Sequence, residues 1–261
     1  MLATLLVLVV MVATQQPFPR GKALVIAGVF GLLQFAGAFG LYHFALVEIQ
    51  AGLGQTLLAL VPLATLFLAV AQGQDRLRTS AVVGSLIGLA GVAVISREPL
   101  EESSSLVSAL AVLGSVLCFA QALVVLRRSP PIHPVALNAV AMVSGAIVLV
   151  AASVVAGEPL ALPARSETWL ALGYVAAIGT VVVFLLHVFV AQRWGASRTA
   201  YVMVLVPFVT VVFSARLDGE PITSGLVLGG LLIIAGVYVG ALRQSQVSMA
   251  SSSSAAPRDV P

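Results

Sequence analysis

The sequence predicts an all-α transmembrane protein made of two inverted repeats of five helices, ten in a complete chain and about nine present here. Three observations carry that prediction. Sixty per cent of the 261 residues are apolar and nine per cent charged, with a mean hydropathy of +1.10, far outside the range of soluble domains. The apolar residues gather into long stretches separated by short turns bearing Gly, Pro, Ser and charges. A pattern also returns at a fixed distance. Leu60-Val-Pro-Leu-Ala-Thr65 followed by Gly84 and Gly91 recurs as Leu205-Val-Pro-Phe-Val-Thr210 followed by Gly229 and Gly236, each matching pair 145 residues apart (207 − 62). Upstream, Gly28, Phe39, Phe44 and Ala51 meet Gly173, Phe184, Phe189 and Ala196 at the same offset. A long fixed offset across apolar spans indicates a duplicated membrane unit.

Crossing about 30 Å of hydrocarbon takes about 20 mostly apolar residues. That rule places spans near 22–44, 48–71, 79–96, 106–126, 134–156, 168–190, 197–214 and 223–242. Met1–Thr14 is apolar as well, but 14 residues rise only about 21 Å. A signal-peptide core is the other reading of this stretch, yet it has neither a basic start nor a small-x-small cleavage site. The repeat accounts for it better. Shifted back by 145, span 134–156 begins ahead of Met1 and span 106–126 falls wholly before it. The expectation is a first span lying upstream, with residues 1–97 as an N-terminally truncated first repeat and 106–243 as the second. Residues 244–261, with Ser251–Ser254 and Pro257, have nothing apolar to bury and read as a disordered tail.

Charge sets the orientation. Arg20, Lys22, Arg76, Arg78, Arg127, Arg128, Arg193, Arg198, Arg243 and Arg258 fall in alternate loops, and only Arg97, Arg165 and Arg216 in the others. By the positive-inside rule the first set, and with it the C-terminus, is cytoplasmic. Five spans per repeat is an odd number, so the two copies must cross the bilayer in opposite senses. The net charge of +3 is spread singly between spans, which argues against a nucleic-acid surface. Cys118 is the only cysteine, so no internal disulfide can form. His, Cys and acids never reach ligand spacing, and neither GxSxG, HExxH nor a phosphate-binding glycine loop occurs. No metal, cofactor or catalytic residue is expected.

The paired Leu-Val-Pro-x-x-Thr and glycine pattern, together with Cys118-Phe-Ala-Gln-Ala-Leu-Val-Val-Leu-Arg-Arg128 before a Pro-bearing loop, resembles the EamA-type family of the drug/metabolite transporter superfamily. The resemblance spans almost all of residues 1–243. It implies ten helices in two inverted halves around a central cavity, alternating access, and export or exchange of amino acids, other small metabolites or drug-like compounds. The departure is the first span, which would help to line that cavity. A flippase for a lipid-linked precursor and a non-transporting membrane scaffold are the alternatives. The expected setting is a bacterial inner or plasma membrane, and the expected partners are a small-molecule substrate, the lipid bilayer and, optionally, a second copy in a homodimer.

Within the spans, Pro62 and Pro207 lie near the midplane and are expected to kink their helices by freeing the carbonyls of Leu58 and Met203. One reading makes them hinges beside the substrate path; the other makes them packing kinks with Thr65 and Thr210 bonded back to their own backbone. Gly84, Gly88, Gly91, Gly229, Gly236 and Gly240 form small-residue faces for close helix approach. No Asp, Glu, Lys or Arg lies deep in a span, so coupling through a buried carboxylate is not expected. His43 and His187 sit toward span ends, as interface anchors or cargo ligands. Substrate-binding candidates are therefore Gln34, Gln55, Gln121, Asn138, Thr180, His187 and Tyr201, polar groups on apolar walls. The alternative for each is hydrogen bonding between helices, typically about 0.6 kcal/mol.

Overall fold

Glycine and proline punctuate the chain where the helices stop and start. Gly73 and Gly157 take positive φ (69° each) just past two helix ends, and the Gly73 amide donates to the Val70 carbonyl, a C-terminal closure that favours glycine. Pro134 opens a helix behind His133, whose ring nitrogen accepts from the Val135 amide at 3.4 Å. The computed structural model describes residues 1–48, 54, 57–95, 106–157, 165–194, 196–202, 204–206, 209 and 224–242. Gln55, Pro207, Thr210 and the tail 244–261 lie outside them.

The described residues are all-helical. In order they are α1 (Leu2–Ala13), α2 (Lys22–Ala45), α3 (Val61–Ala71), α4 (Thr79–Ile95), α5 (Leu106–Arg127), α6 (Pro134–Val155), α7 (Ser166–Trp194), α8 (Ala196–Ala200) and α9 (Ser224–Val237), the last continuing as a π-helical end over Tyr238–Leu242. By length and composition α2, α5, α6 and α7 can each cross a membrane. The remainder are shorter apolar helices. Large apolar side chains cover the outside, among them Leu106, Leu110, Leu117, Ile147 and Val155. Water would penalise so continuous an apolar surface; hydrocarbon does not.

The inverted repeat is visible in how equivalent helices meet. α4 runs antiparallel along α9, its counterpart at offset 145. A Cβ on Gly84 would lie 2.6 Å from the Gly236 carbonyl oxygen, and one on Gly91 would lie 2.7 Å from the Gly229 carbonyl oxygen. Gly84 and Gly229 are equivalents, as are Gly91 and Gly236. Each glycine thus meets the counterpart of the other, which is what a two-fold axis across the pair requires. Only side-chain-free positions let two helix backbones come so near.

Both repeats also distort at the same place. α2 widens into a π-helix over Leu32–Phe39 and α7 over Val175–Val182, and the offset maps the first onto 177–184. α2 packs between α5 and α6, with Gly31 against the Ala141 carbonyl and Gly145 against the Phe35 side chain. The two repeats differ in cover. Ala38 of α2 is buried by α5, whereas its counterpart Val183 on α7 is 49% exposed, with none of the described helices over that face.

Polar contacts sort the charges to opposite ends. Arg128 donates to the Gln72 carbonyl at 2.8 Å, Gln192 to the Ile132 carbonyl at 2.9 Å and Ser197 to the Asp75 carboxylate at 2.9 Å. These gather Asp75, Arg76, Arg78, Arg127, Arg128, Arg193 and Arg198 at one end. At the other, Ser108 donates to Glu48 at 2.6 Å, and Arg165 and Glu167 open α7.

Candidate functional site

The centre of the helix bundle is aromatic. On α2, Phe35 and Phe39 point toward Phe184 of α7, with ring centroids 4.8 and 5.6 Å away. Phe119 of α5 closes edge-on against Phe39 at 5.2 Å, and His187 lies 6.2 Å from Phe184. Phe39 and Phe184 are repeat equivalents, 145 residues apart. Equivalents can touch only beside the axis that relates them, so the pseudo-two-fold passes between these two rings.

A π-turn carries one residue more than the α-helix around it and disturbs the regular bonding of nearby carbonyls. In each repeat a side chain from a neighbouring helix bonds a carbonyl in or just beyond the π-turn. Ser115 of α5 donates to the Ala38 carbonyl at 2.8 Å, and Asn138 of α6 donates to the Phe184 carbonyl at 3.2 Å and to Pro134 at 3.0 Å. Positions 38 and 184 differ by one residue from strict equivalence. The two halves therefore tether this stretch with different chemistry, a hydroxyl in one and an amide in the other.

Unused polar atoms collect around this cluster. Gln34 is fully buried and neither its Oε1 nor its Nε2 has a partner. Asn138 keeps a buried, unpartnered Oδ1, and His187 a buried, unpartnered Nε2. Gln34 stands one residue before Phe35, on the π-helical turns that carry the aromatic rings. Its level on α5 follows from register: Leu41 meets Gly114 and Gly37 meets Cys118, so Gln34, one turn further on, comes level with Phe119–Ala122. Leaving a buried amide without a bond costs about 1–3 kcal/mol in proteins. A pocket that must release one partner and take up another is where such a cost is tolerated.

Other sequence candidates have different company. Gln121 accepts from Gln72 Nε2 at 2.8 Å, toward the arginine-rich end. Thr180 donates back to the Val175 carbonyl at 3.0 Å inside the α7 π-turn and is half-buried. The Tyr201 hydroxyl is held by Ser85 Oγ at 2.9 Å and the Ala81 carbonyl at 2.7 Å, in a separate buried cluster with Ala59, Val92, Val204 and Ile233. Pro62 occupies the first turn of α3, after a tight turn in which the Leu60 amide bonds Leu57. Thr65 donates to the Val61 carbonyl at 2.7 Å, the back-bonded arrangement of the second reading given above.

The structure thus brings Asn138 and His187 to Phe184 and sets Gln34 beside Phe35, while Gln121, Thr180 and Tyr201 have hydrogen-bond partners of their own. Sequence reasoning had no place for Phe35, Phe119 or Ser115 in the site. Phe39 and Phe184 were already paired by the offset, and that pairing was the available signal. Neutral donors and acceptors framed by aromatic faces can bind a small solute that carries both kinds of hydrogen-bonding group, and the ring faces can also meet a cationic group.

Comparison with known proteins gives concordant results. The sequence model of the EamA-like transporter family matches residues 1–97 and 106–241. The chain is 29% identical over 224 residues to the uncharacterized inner membrane transporter YedA of Escherichia coli (strain K12), covering 85% of this chain and 72% of that one. It is 26% identical over 249 residues to the uncharacterized transporter YyaM of Bacillus subtilis (strain 168), covering 90% and 80%. A solved crystal structure superposes with a TM-score of 0.74 over 93% of this chain and 85% of the other at 18% identity, a likeness of fold.

Proposed function

Because the chain belongs to the EamA-like transporter family, and so is a multi-pass membrane transporter, we propose that it exports or exchanges a small organic metabolite, an amino acid or drug-like compound, by alternating access. Residues 1–97 and 106–243 form the two repeats, and the path runs along the pseudo-two-fold axis between them. The observation that supports this most is the contact of the equivalent rings Phe39 and Phe184 at 5.6 Å. In an inverted repeat, exchanging the conformations of the two halves turns an inward-open path into an outward-open one about that axis. Rings standing on the axis are the barrier common to both states.

Gln34, Asn138 and His187 supply the hydrogen bonds and the aromatic rings the walls. The π-turns of α2 and α7 give each half a local place to bend, since a π-turn interrupts the regular ladder on a single helix. The arginine-rich end, and the C-terminus with it, faces the cytoplasm by the positive-inside rule.

Vesicles containing the purified protein and loaded with a labelled mixture of amino acids provide the test. Saturable efflux of a subset of these compounds, above the leak of protein-free vesicles, is expected. Efflux equal to the leak for amino acids and for a panel of drug-like cations, from protein shown to be folded, would overturn the proposal.

A further inference from the structure

A second concavity lies at the arginine-rich end, away from the aromatic centre. It encloses about 230 Å³ and is lined by Gln74, Asp75, Arg78, Arg127, Arg193, Arg198 and also Trp194 and Ser197. These residues come from the turn after α3 and from the ends of α5, α7 and α8. Four guanidiniums thus face one carboxylate, and that carboxylate is already engaged. Asp75 accepts from the Arg76 amide at 2.8 Å and from Ser197 at 2.9 Å, and stands 3.9 Å from Arg78. Among the described residues no acid pairs with Arg127, Arg193 or Arg198. Arg193 is held in position, its guanidinium 4.2 Å from the Phe189 ring centre.

The positive-inside rule explains why arginines are at this end. It does not explain why four from separate segments converge on one cavity, where their mutual repulsion is unfavourable unless something negative comes between them. Gln74 braces the wall, its amide nitrogen bonding the Val124 carbonyl at 2.9 Å. The wall therefore offers several cationic donors.

We propose that this cavity binds an anionic group, a phosphate or carboxylate, at the entrance to the path. Arg127 and Arg193 lie on the same helices as Phe119 and His187 and about two turns from them, so a solute held here stands about 9–12 Å along those helices from the central cluster. Placing the cavity at an entrance rests on the transport reading. Binding does not, and it can be measured without flux, so the two can fail separately.

Trp194 lines the cavity, and the only other tryptophan, Trp169, is near the start of α7 at the opposite end. A Trp169→Phe variant therefore leaves a single tryptophan at the site, excited at long wavelength apart from the four tyrosines. In nanodiscs of neutral phosphatidylcholine, inorganic phosphate and serine are titrated as soluble probes; in a separate arm, phosphatidylglycerol is added to the disc. A saturable change in Trp194 emission is expected. It should weaken by roughly tenfold or more when Arg127→Gln and Arg198→Gln are combined, weaken with added salt, and be unaffected by Arg20→Gln. Response to the soluble probes assigns the site to a free solute, and response to phosphatidylglycerol alone assigns it to a lipid headgroup; both uphold an anion site. No saturable response in either arm, or one that the double variant leaves intact, overturns it.

Discussion

Replacing Gly236 by valine is expected to separate α4 from α9 and lower the unfolding free energy by about 3 kcal/mol or more, beyond the usual range for overpacking. The reason lies in what the new side chain would meet. A Cβ at Gly236 would be 2.6 Å from the Gly84 carbonyl oxygen and 2.6 Å from the Gly88 amide nitrogen, and backbone atoms have no rotamer to yield with. Gly88→Ala should be milder, because its first obstacle at 2.9 Å is one methyl of Val204. Gly28→Ala should be neutral or slightly stabilising, with nothing within 4 Å of its Cβ and a better helix former in place. Thermal unfolding of the three variants in one detergent reads the order directly. A Gly236→Val protein as stable as Gly28→Ala would mean that the close approach of the two repeats is not required.

Gln34→Leu is expected to move stability and transport in opposite directions. Leucine matches the apolar surroundings and removes two buried, unpartnered polar atoms, which should stabilise the closed state by about 1–2 kcal/mol. The same change takes two hydrogen-bonding groups from the solute, for an expected loss of roughly tenfold or more in transport kcat/KM. An amide that merely tied helices together would give the other sign for stability. A leucine variant that unfolds at lower temperature and still transports normally would remove Gln34 from the site.

Much of the fold was legible because lipid imposes simple rules. The spans near 22–44, 106–126, 134–156 and 168–190 follow from apolar length and return as long helices. Those near 48–71 and 197–214 return only as short ones among the described residues. The inverted pairing follows from an odd number of spans per copy. The glycine faces at Gly84, Gly91, Gly229 and Gly236 were legible for the same reason, since residues without side chains at helical spacing have little use in lipid other than close packing. The π-turns at Leu32–Phe39 and Val175–Val182 were not, because neither stretch carries a residue that forces the extra bond. The side chains that bond carbonyls in or beside them, Ser115 and Asn138, come from other helices. Asn138 could be picked out as a buried polar group, but its partner, 46 residues away on another helix, was beyond reach.

Tyr201 shows the limit from the other side. A tyrosine near a span end suits a binding wall or a hydrogen bond between helices equally well by sequence. Only the tertiary structure reveals that Ser85 and Ala81 hold its hydroxyl and that Gly240 packs beside its ring. The aromatic centre was half legible: the offset paired Phe39 with Phe184, while Phe35 and Phe119 are ordinary apolar positions until the helices are assembled around them.

Everything above depends on the two copies crossing the bilayer in opposite senses, and thiol labelling measures that sidedness most directly. Thr79 and Ser224 are equivalents (224 − 79 = 145), both exposed at the first residue of their helices, α4 and α9. In a Cys118→Ala background, Thr79→Cys and Ser224→Cys are each treated in intact cells with a membrane-impermeant maleimide. The predicted result is labelling of residue 224 from outside and of residue 79 only after the cells are permeabilised. Labelling of both positions from the same side would contradict the inverted repeat and the transport path drawn along its axis.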